Sequence, residues 1–176
     1  VLPPEGLLLE TNSGSGEHAA YMAPQLAPRI WQPSDLDEDA CASIAAYVAD
    51  AGVETLRPPV QLDVTLPEWP VEEAAAILSA NMIHIAPWAA CVGLLRGAAR
   101  KLSDGGLLVL YGPFRQRDVE TAQSNEAFDA WLKNQHPAHG LRFVEDVAEE
   151  ASRHKLSLSE ILPVPANNLV VVFRSG

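Results

Sequence analysis

The chain has 176 residues, 48% hydrophobic and 20% charged, with 23 Asp and Glu against 12 Lys and Arg and a net charge of −11. That length is about one domain, long enough to bury roughly 70% of its unfolded surface, and the composition argues against disorder. The negative balance repels phosphate backbones, which disfavours a nucleic-acid partner. The apolar runs fall short of the about 20 residues a bilayer span requires, so no membrane association is expected. The first residues, Val1-Leu2-Pro3-Pro4-Glu5, carry neither a basic segment nor an apolar stretch of the signal-peptide kind. The chain starts without Met shortly before its first expected strand, which predicts that an N-terminal segment is missing.

In chain order, Leu7-Leu8-Leu9 is the first short apolar run, closing at Glu10 and a Gly/Ser-rich turn that leads into an expected helix. Arg29 to Gln32 is a second, weaker run. Ser34-x-x-Asp37 has the form of a capping box before Leu36, Ala40, Ile44 and Val48, a stripe at helical spacing that Gly52 stops. Val60 to Val64 and Ala74 to Leu78 are the third and fourth runs. Pro87 opens a second stripe, Trp88, Val92, Leu95, Ala99 and Leu102, with Gly105-Gly106 beyond its end and Leu107 to Leu110 as the fifth run. Near-continuous apolar strands alternating with helices imply right-handed βαβ units in a sheet covered on both faces. Residues 113–125 are polar and read as a surface loop, with helices expected near 125–134 and 143–154. Leu158 to Val164 and Asn168 to Arg174 are strand-like, and Pro165-Ala166-Asn167 is too short to hold a crossover, so this pair is antiparallel. The expected fold is therefore α/β, a doubly wound, mostly parallel sheet with an antiparallel C-terminal hairpin, in a single domain over 1–176. Cys41 and Cys91 have no CxxC spacing and lie in apolar helical stripes, the pattern of free thiols in a cytoplasmic protein.

The turn Glu10-Thr11-Asn12-Ser13-Gly14-Ser15-Gly16 lies between a buried strand and a helix, where glycines let the backbone approach a ligand and the helix offers unpaired N–H groups. Two nucleotide cofactors fit this position. Gly14-x-Gly16-x-x-Ala19 with Asp35 about 20 residues on matches a dinucleotide fingerprint and favours NAD. An acidic residue closing the strand, however, repels a pyrophosphate and suits a ligand with an ammonium group, such as S-adenosylmethionine. A purely structural turn is the third possibility.

Glu10-x-x-Ser13-Gly14-Ser15-Gly16 resembles the glycine-rich motif of class I S-adenosylmethionine-dependent methyltransferases. Trp31-Gln32-Pro33-Ser34-Asp35, the segment Asn81 to Trp88, Tyr111-Gly112-Pro113-Phe114, Ser124-Asn125-x-x-Phe128-Asp129 and Pro165 to Leu169 resemble a narrower group, the methyltransferase-like protein 26 family, a domain of unknown function. The resemblance implies a seven-stranded Rossmann-like sheet with a reversed last strand and S-adenosylmethionine as cofactor. By the same resemblance Gly14 and Gly16 wrap the methionine portion, Glu10 holds its ammonium, Asp35 accepts from the ribose hydroxyls and Leu36 packs on the adenine. Asp63 would accept from the adenine amino group with Val64 donating its N–H beside it, and Asn81 and Met82 would border the point where methyl donor meets acceptor. Each has a structural alternative: Asp35 or Asp37 as helix caps, Asp63 as a turn former, Asn81 as a cap or turn residue.

Two departures from the family pattern stand out. Asn12 occupies a position usually held by a small residue, and the resemblance begins with an N-terminal segment absent here. The segment after the fourth strand also lacks the Asn/Asp-Pro-Pro-Tyr/Phe pattern of amino-methylating nucleic-acid enzymes. His84, just past the fourth strand, is a candidate general base with a suitable unperturbed pKa, or else a hydrogen-bonded near-core histidine. Tyr111, at the end of the fifth strand, is a candidate site-lining group; His18 reads as capping or lining the first helix. His136, His139 and His154 have no metal-ligand spacing, so no metal is expected. The expected reaction is in-line transfer of a methyl group to an N, O or S of a small-molecule or protein acceptor. A non-catalytic scaffold and a nicotinamide oxidoreductase are the alternatives.

Overall fold

The computed structural model describes residues 2–176. Five strands, β1 (Leu7–Thr11), β2 (Ile30–Asp35), β3 (Val60–Gln61), β4 (Ala74–Ala80) and β5 (Leu102–Gly112), run parallel, and β6 (Leu156–Val164) and β7 (Asn168–Ser175) form an antiparallel hairpin. The sheet order is β3-β2-β1-β4-β5-β7-β6, with β7 antiparallel to β5. The expected mixed sheet with a reversed last strand is therefore what the chain forms. At the hairpin turn Ala166 and Asn167 both take positive φ (62° and 57°), which reverses the chain within three residues.

Alternation along each strand feeds two separate cores. Leu7, Leu9, Ile77, Leu108, Leu110 and Phe173 point to one face, where α3 (Trp88–Lys101) and α5 (Val144–Ser152) cover them with Leu94, Leu95 and Val147. Leu8, Ala76, Val109 and Val172 point to the other, under α1 (Glu17–Gln25), with Trp31 of β2 in the same cluster. Burial on both faces explains why these strands are continuous apolar runs. The remaining helices are α2 (Glu38–Ala51) and α4 (Gln123–Gln135). Buried Asp129 fixes α4 by accepting from Arg115 (3.0 Å), Lys133 (2.6 Å) and the Leu141 N–H (2.8 Å).

Several boundaries differ from the sequence expectation, each for a local reason. β2 runs on to Asp35 through Pro33. That proline is tolerated because β3 pairs only with Ser34 and Asp35, leaving no ladder partner that needs a Pro33 N–H. Ser34 is consequently a strand residue rather than a helix cap, its hydroxyl donating to the Glu10 carbonyl (2.7 Å). Asp37 caps α2 instead, accepting from the N–H groups of Asp39 and Ala40. β3 stops at Gln61 rather than Val64, since the Asp63 side chain takes the N–H and hydroxyl of Thr65 and turns the chain. Leu102 begins β5 rather than ending the helical stripe.

Candidate functional site

β1 delivers Glu10 to the carboxyl edge of the sheet, and the chain then turns through Asn12, Gly14 and Gly16, all at positive φ (59°, 61° and 90°). Asn accepts this region more readily than other side chains because its short amide bonds locally. Gly16 is required twice over: a Cβ there would lie 2.6 Å from the Ile44 Cα of α2. The Gly14 N–H donates to Asp35 Oδ2 (2.9 Å), the Asp37 N–H donates to Asp35 Oδ1 (3.1 Å), and the Gly16 N–H donates to the Ser13 carbonyl (3.1 Å). Asp35 thus holds the glycine turn and the entrance of α2 in one arrangement.

Glu10 is only 3% exposed, and three groups compensate its carboxylate. Oε2 accepts from the Ser13 hydroxyl (2.8 Å) and the Trp31 indole N–H (3.0 Å); Oε1 pairs with His18 Nδ1 (3.2 Å). A carboxylate offers about four acceptor positions, so one remains, on Oε1. The hydrogen bond to Glu10 is the main cause that raises the His18 pKa above its ordinary value, against a smaller lowering by burial. The His18 side chain itself is 57% exposed.

Two adjoining cavities open along this edge. One, of about 600 Å³, is lined by Glu10, Ser13, His18, Asn81, Tyr111 and Val170 among others; the second, of about 320 Å³, by Leu36, Leu62, Asp63, Val64, Met82 and Pro87 among others. Asn12 and Ile85 line both and form the seam between them. Both volumes fall in the range of small-molecule sites.

Of the residues singled out from the sequence, Glu10, Asn81 and Tyr111 meet in the larger cavity, and Leu36, Asp63, Val64 and Met82 in the smaller. Gly14, Gly16 and Asp35 lie in the turn behind them, shaping the edge through backbone and carboxylate bonds. His84 does not join them. It is 0% exposed on the single 3-10 turn Met82–His84, lines neither cavity, and stands edge-on to Phe114 with ring centroids 4.7 Å apart. Neither ring nitrogen has a hydrogen-bond partner, and burial, aided by the charge of Arg142, pushes its pKa down to about 4. The structure therefore sets His84 apart from both cavities, as a buried core histidine rather than a base poised at an acceptor. The cavity histidine is His18, expected from the sequence to cap or line the first helix; its position eight residues after Glu10, across the turn, is the only local signal. Among the described residues no group of three or more His, Cys, Asp or Glu could hold a metal.

The chain matches over residues 1–175 the model of a family described as "Protein of unknown function (DUF938)". It belongs to that family. Among solved structures this DUF938 chain is similar to the mitomycin 7-O-methyltransferase MmcR, with a TM-score of 0.84 at 16% identity over 97% of this chain and 49% of that one. It is similar to NcsB1, an O-methyltransferase from neocarzinostatin biosynthesis solved with S-adenosylmethionine and 2-hydroxy-5-methyl naphthoic acid, with a TM-score of 0.81 at 16% identity over 97% and 49%. An O-methyltransferase family 2 protein from Planctomyces limnophilus DSM 3776, complexed with apigenin, matches with a TM-score of 0.80 at 19% identity over 97% and 51%. These likenesses establish the class I methyltransferase fold, and the chain spans about half the length of the solved chains it matches.

Proposed function

We propose that the paired cavities bind S-adenosylmethionine and that the protein transfers its methyl group to a small-molecule or protein acceptor. The carrying observation is the joined pair itself: a chamber that meets a buried carboxylate, continuous at Asn12 and Ile85 with an apolar slot. The donor set fits the cofactor. Glu10 keeps one acceptor position for an ammonium group, and each Asp35 oxygen, using one position on a backbone N–H, keeps one for a ribose hydroxyl. Leu36, 59% exposed at the slot, offers an unpartnered apolar side chain to an adenine. Asp63 commits Oδ1 to Thr65 and retains Oδ2 for an adenine amino group beside the Val64 N–H. Asn81 and Met82 would border the reacting methyl, and Tyr111 the acceptor. The bound cofactor supplies a methyl group already activated on a sulfonium, so alignment is the main demand on the protein. We assign no proton transfer to His84.

The same turn disfavours NAD. The N–H groups of Gly14 and Gly16, which a pyrophosphate would need, are both committed to Asp35 and Ser13, and the nearest side chain at the strand end is anionic. NcsB1, solved with S-adenosylmethionine, supports this choice of cofactor. The narrower kinship with the methyltransferase-like protein 26 family rests on the motifs quoted from the sequence. The charge of −11 supports an acceptor other than nucleic acid. Free Cys41 and Cys91 support a cytoplasmic site of action, and among the described residues no helix is long and apolar enough to cross a membrane.

Calorimetric titration with S-adenosylmethionine, S-adenosylhomocysteine and NAD in parallel tests this reading. Kd values in the micromolar range for the first two are expected. Leu36→Ala should weaken both several-fold and Asp35→Ala should abolish measurable binding. Binding of NAD, or of none of the three, overturns the reading; cofactor binding without methylation across an acceptor screen would leave a binding module of the same fold.

A further inference from the structure

Among the described residues that line the two cavities, His18 is the one with a basic side chain, while Glu10 and Asp63 contribute carboxylates. A ligand bearing both an ammonium and a carboxylate therefore meets abundant acceptors and a single basic partner. His18 and Glu10 present opposite charges side by side: Nδ1 is committed to Glu10 Oε1 at 3.2 Å, leaving Nε2 as the ring nitrogen free for a ligand. Ring and carboxylate are held as a unit, since Trp31 and Ser13 fix Glu10 and the Trp31 ring stands edge-on to His18 at 6.5 Å. His18 also lies in the first turn of α1, whose positive dipole end favours an anion.

We propose, resting on the S-adenosylmethionine reading above, that Glu10 and protonated His18 form a charge pair matched to the amino-acid end of the cofactor. Glu10 accepts from the ammonium, His18 Nε2–H donates to the carboxylate, and cofactor affinity is thereby gated by pH. The protonated ring donates from both nitrogens, satisfying Glu10 and the ligand carboxylate together. Loss of the Nε2 proton turns that donor into a lone pair facing an anion. Affinity is thus highest below the raised pKa of His18 and falls as pH climbs through it. Of the elements around His18, β1 supplies Glu10, β5 supplies Tyr111, and α1 itself carries Glu17 and Tyr21. Trp31, Leu78, Asn81 and Val170 from β2, β4, its following turn and β7 are uncharged, and the acidic residues Glu38, Asp39 and Asp50 of the packed helix α2 are exposed.

The test compares S-adenosylhomocysteine with 5′-methylthioadenosine, which lacks the amino-acid end, by calorimetry on the full chain from about pH 6 to about pH 8.5. The Kd for S-adenosylhomocysteine should rise about tenfold or more across that range, beyond any change in the His18→Gln variant, which keeps an N–H donor but does not titrate. The variant also corrects for ionisation of the ligand amine. Methylthioadenosine should bind wild type and variant alike, with no pH dependence. A pH profile for S-adenosylhomocysteine that is the same in wild type and His18→Gln overturns the proposal, as does methylthioadenosine sharing the wild-type slope. If neither ligand binds at any pH, the cofactor reading itself has failed, a result distinct from binding that ignores His18.

Discussion

His84 stands with both ring nitrogens unpaired beside Phe114 and beneath Gly112, where a Cβ would come within 2.6 Å of its Nε2. A neutral imidazole survives there because burial makes the charged form costly. Its pKa near 4 lies below that of an unfolded histidine, so the unfolded chain binds the extra proton as pH falls from about 6.5 toward 4, and stability is lost over that window. Between pH 7 and pH 5 this one group should remove about 2 kcal/mol. Urea unfolding of wild type and His84→Leu at both pH values should show the variant at least as stable at pH 7 and losing correspondingly less at pH 5. An equal loss in both would show that His84 is hydrated or paired in solution. At this scale the sequence was legible where chemistry is contiguous: Glu10, Gly14 and Gly16 act through one turn. It favours His84 over His18, whereas which histidine meets a cavity depends on burial set by other elements.

The helix stripes and apolar runs located almost every element; their ends were the weaker part. Ser34 and Asp37 are both good capping types, and only the extension of β2 through Pro33 decides between them. Asp37→Ala should therefore cost about 1 kcal/mol, read as a lowered urea midpoint, because it removes the acceptor for two N–H groups of α2. Ser34→Ala, if its effect came from capping, should match it. Instead its loss should follow from the buried bond to the Glu10 carbonyl and extend to cofactor affinity, since that carbonyl belongs to the strand end carrying the site. The end of β3 falls short of Val64 for a comparable reason: an Asp-x-Thr turn inside an apolar run is invisible to hydrophobicity alone.

For the molecule as a whole, the hairpin β6–β7 does more than complete the sheet. Phe173 of β7 is 0% exposed within the cluster that also holds Leu108, Val144 and Leu156, so β5, α5 and β6 converge on it. Phe173→Ala should cost about 3–5 kcal/mol, a large share of a domain's net stability, seen as a lowered Tm with one cooperative transition. The antiparallel run of β7 also links the two edges of the sheet. Its start pairs with Gly112 at the cavity edge, and its end pairs with Leu107 at the opposite edge. There Pro3 and Arg174 share a shallow depression with Ser103 and Gly105. A fluorophore or surface tether attached through an Asp104→Cys substitution in that depression would sit on the far rim, leaving the ligand entrance facing the bulk solution.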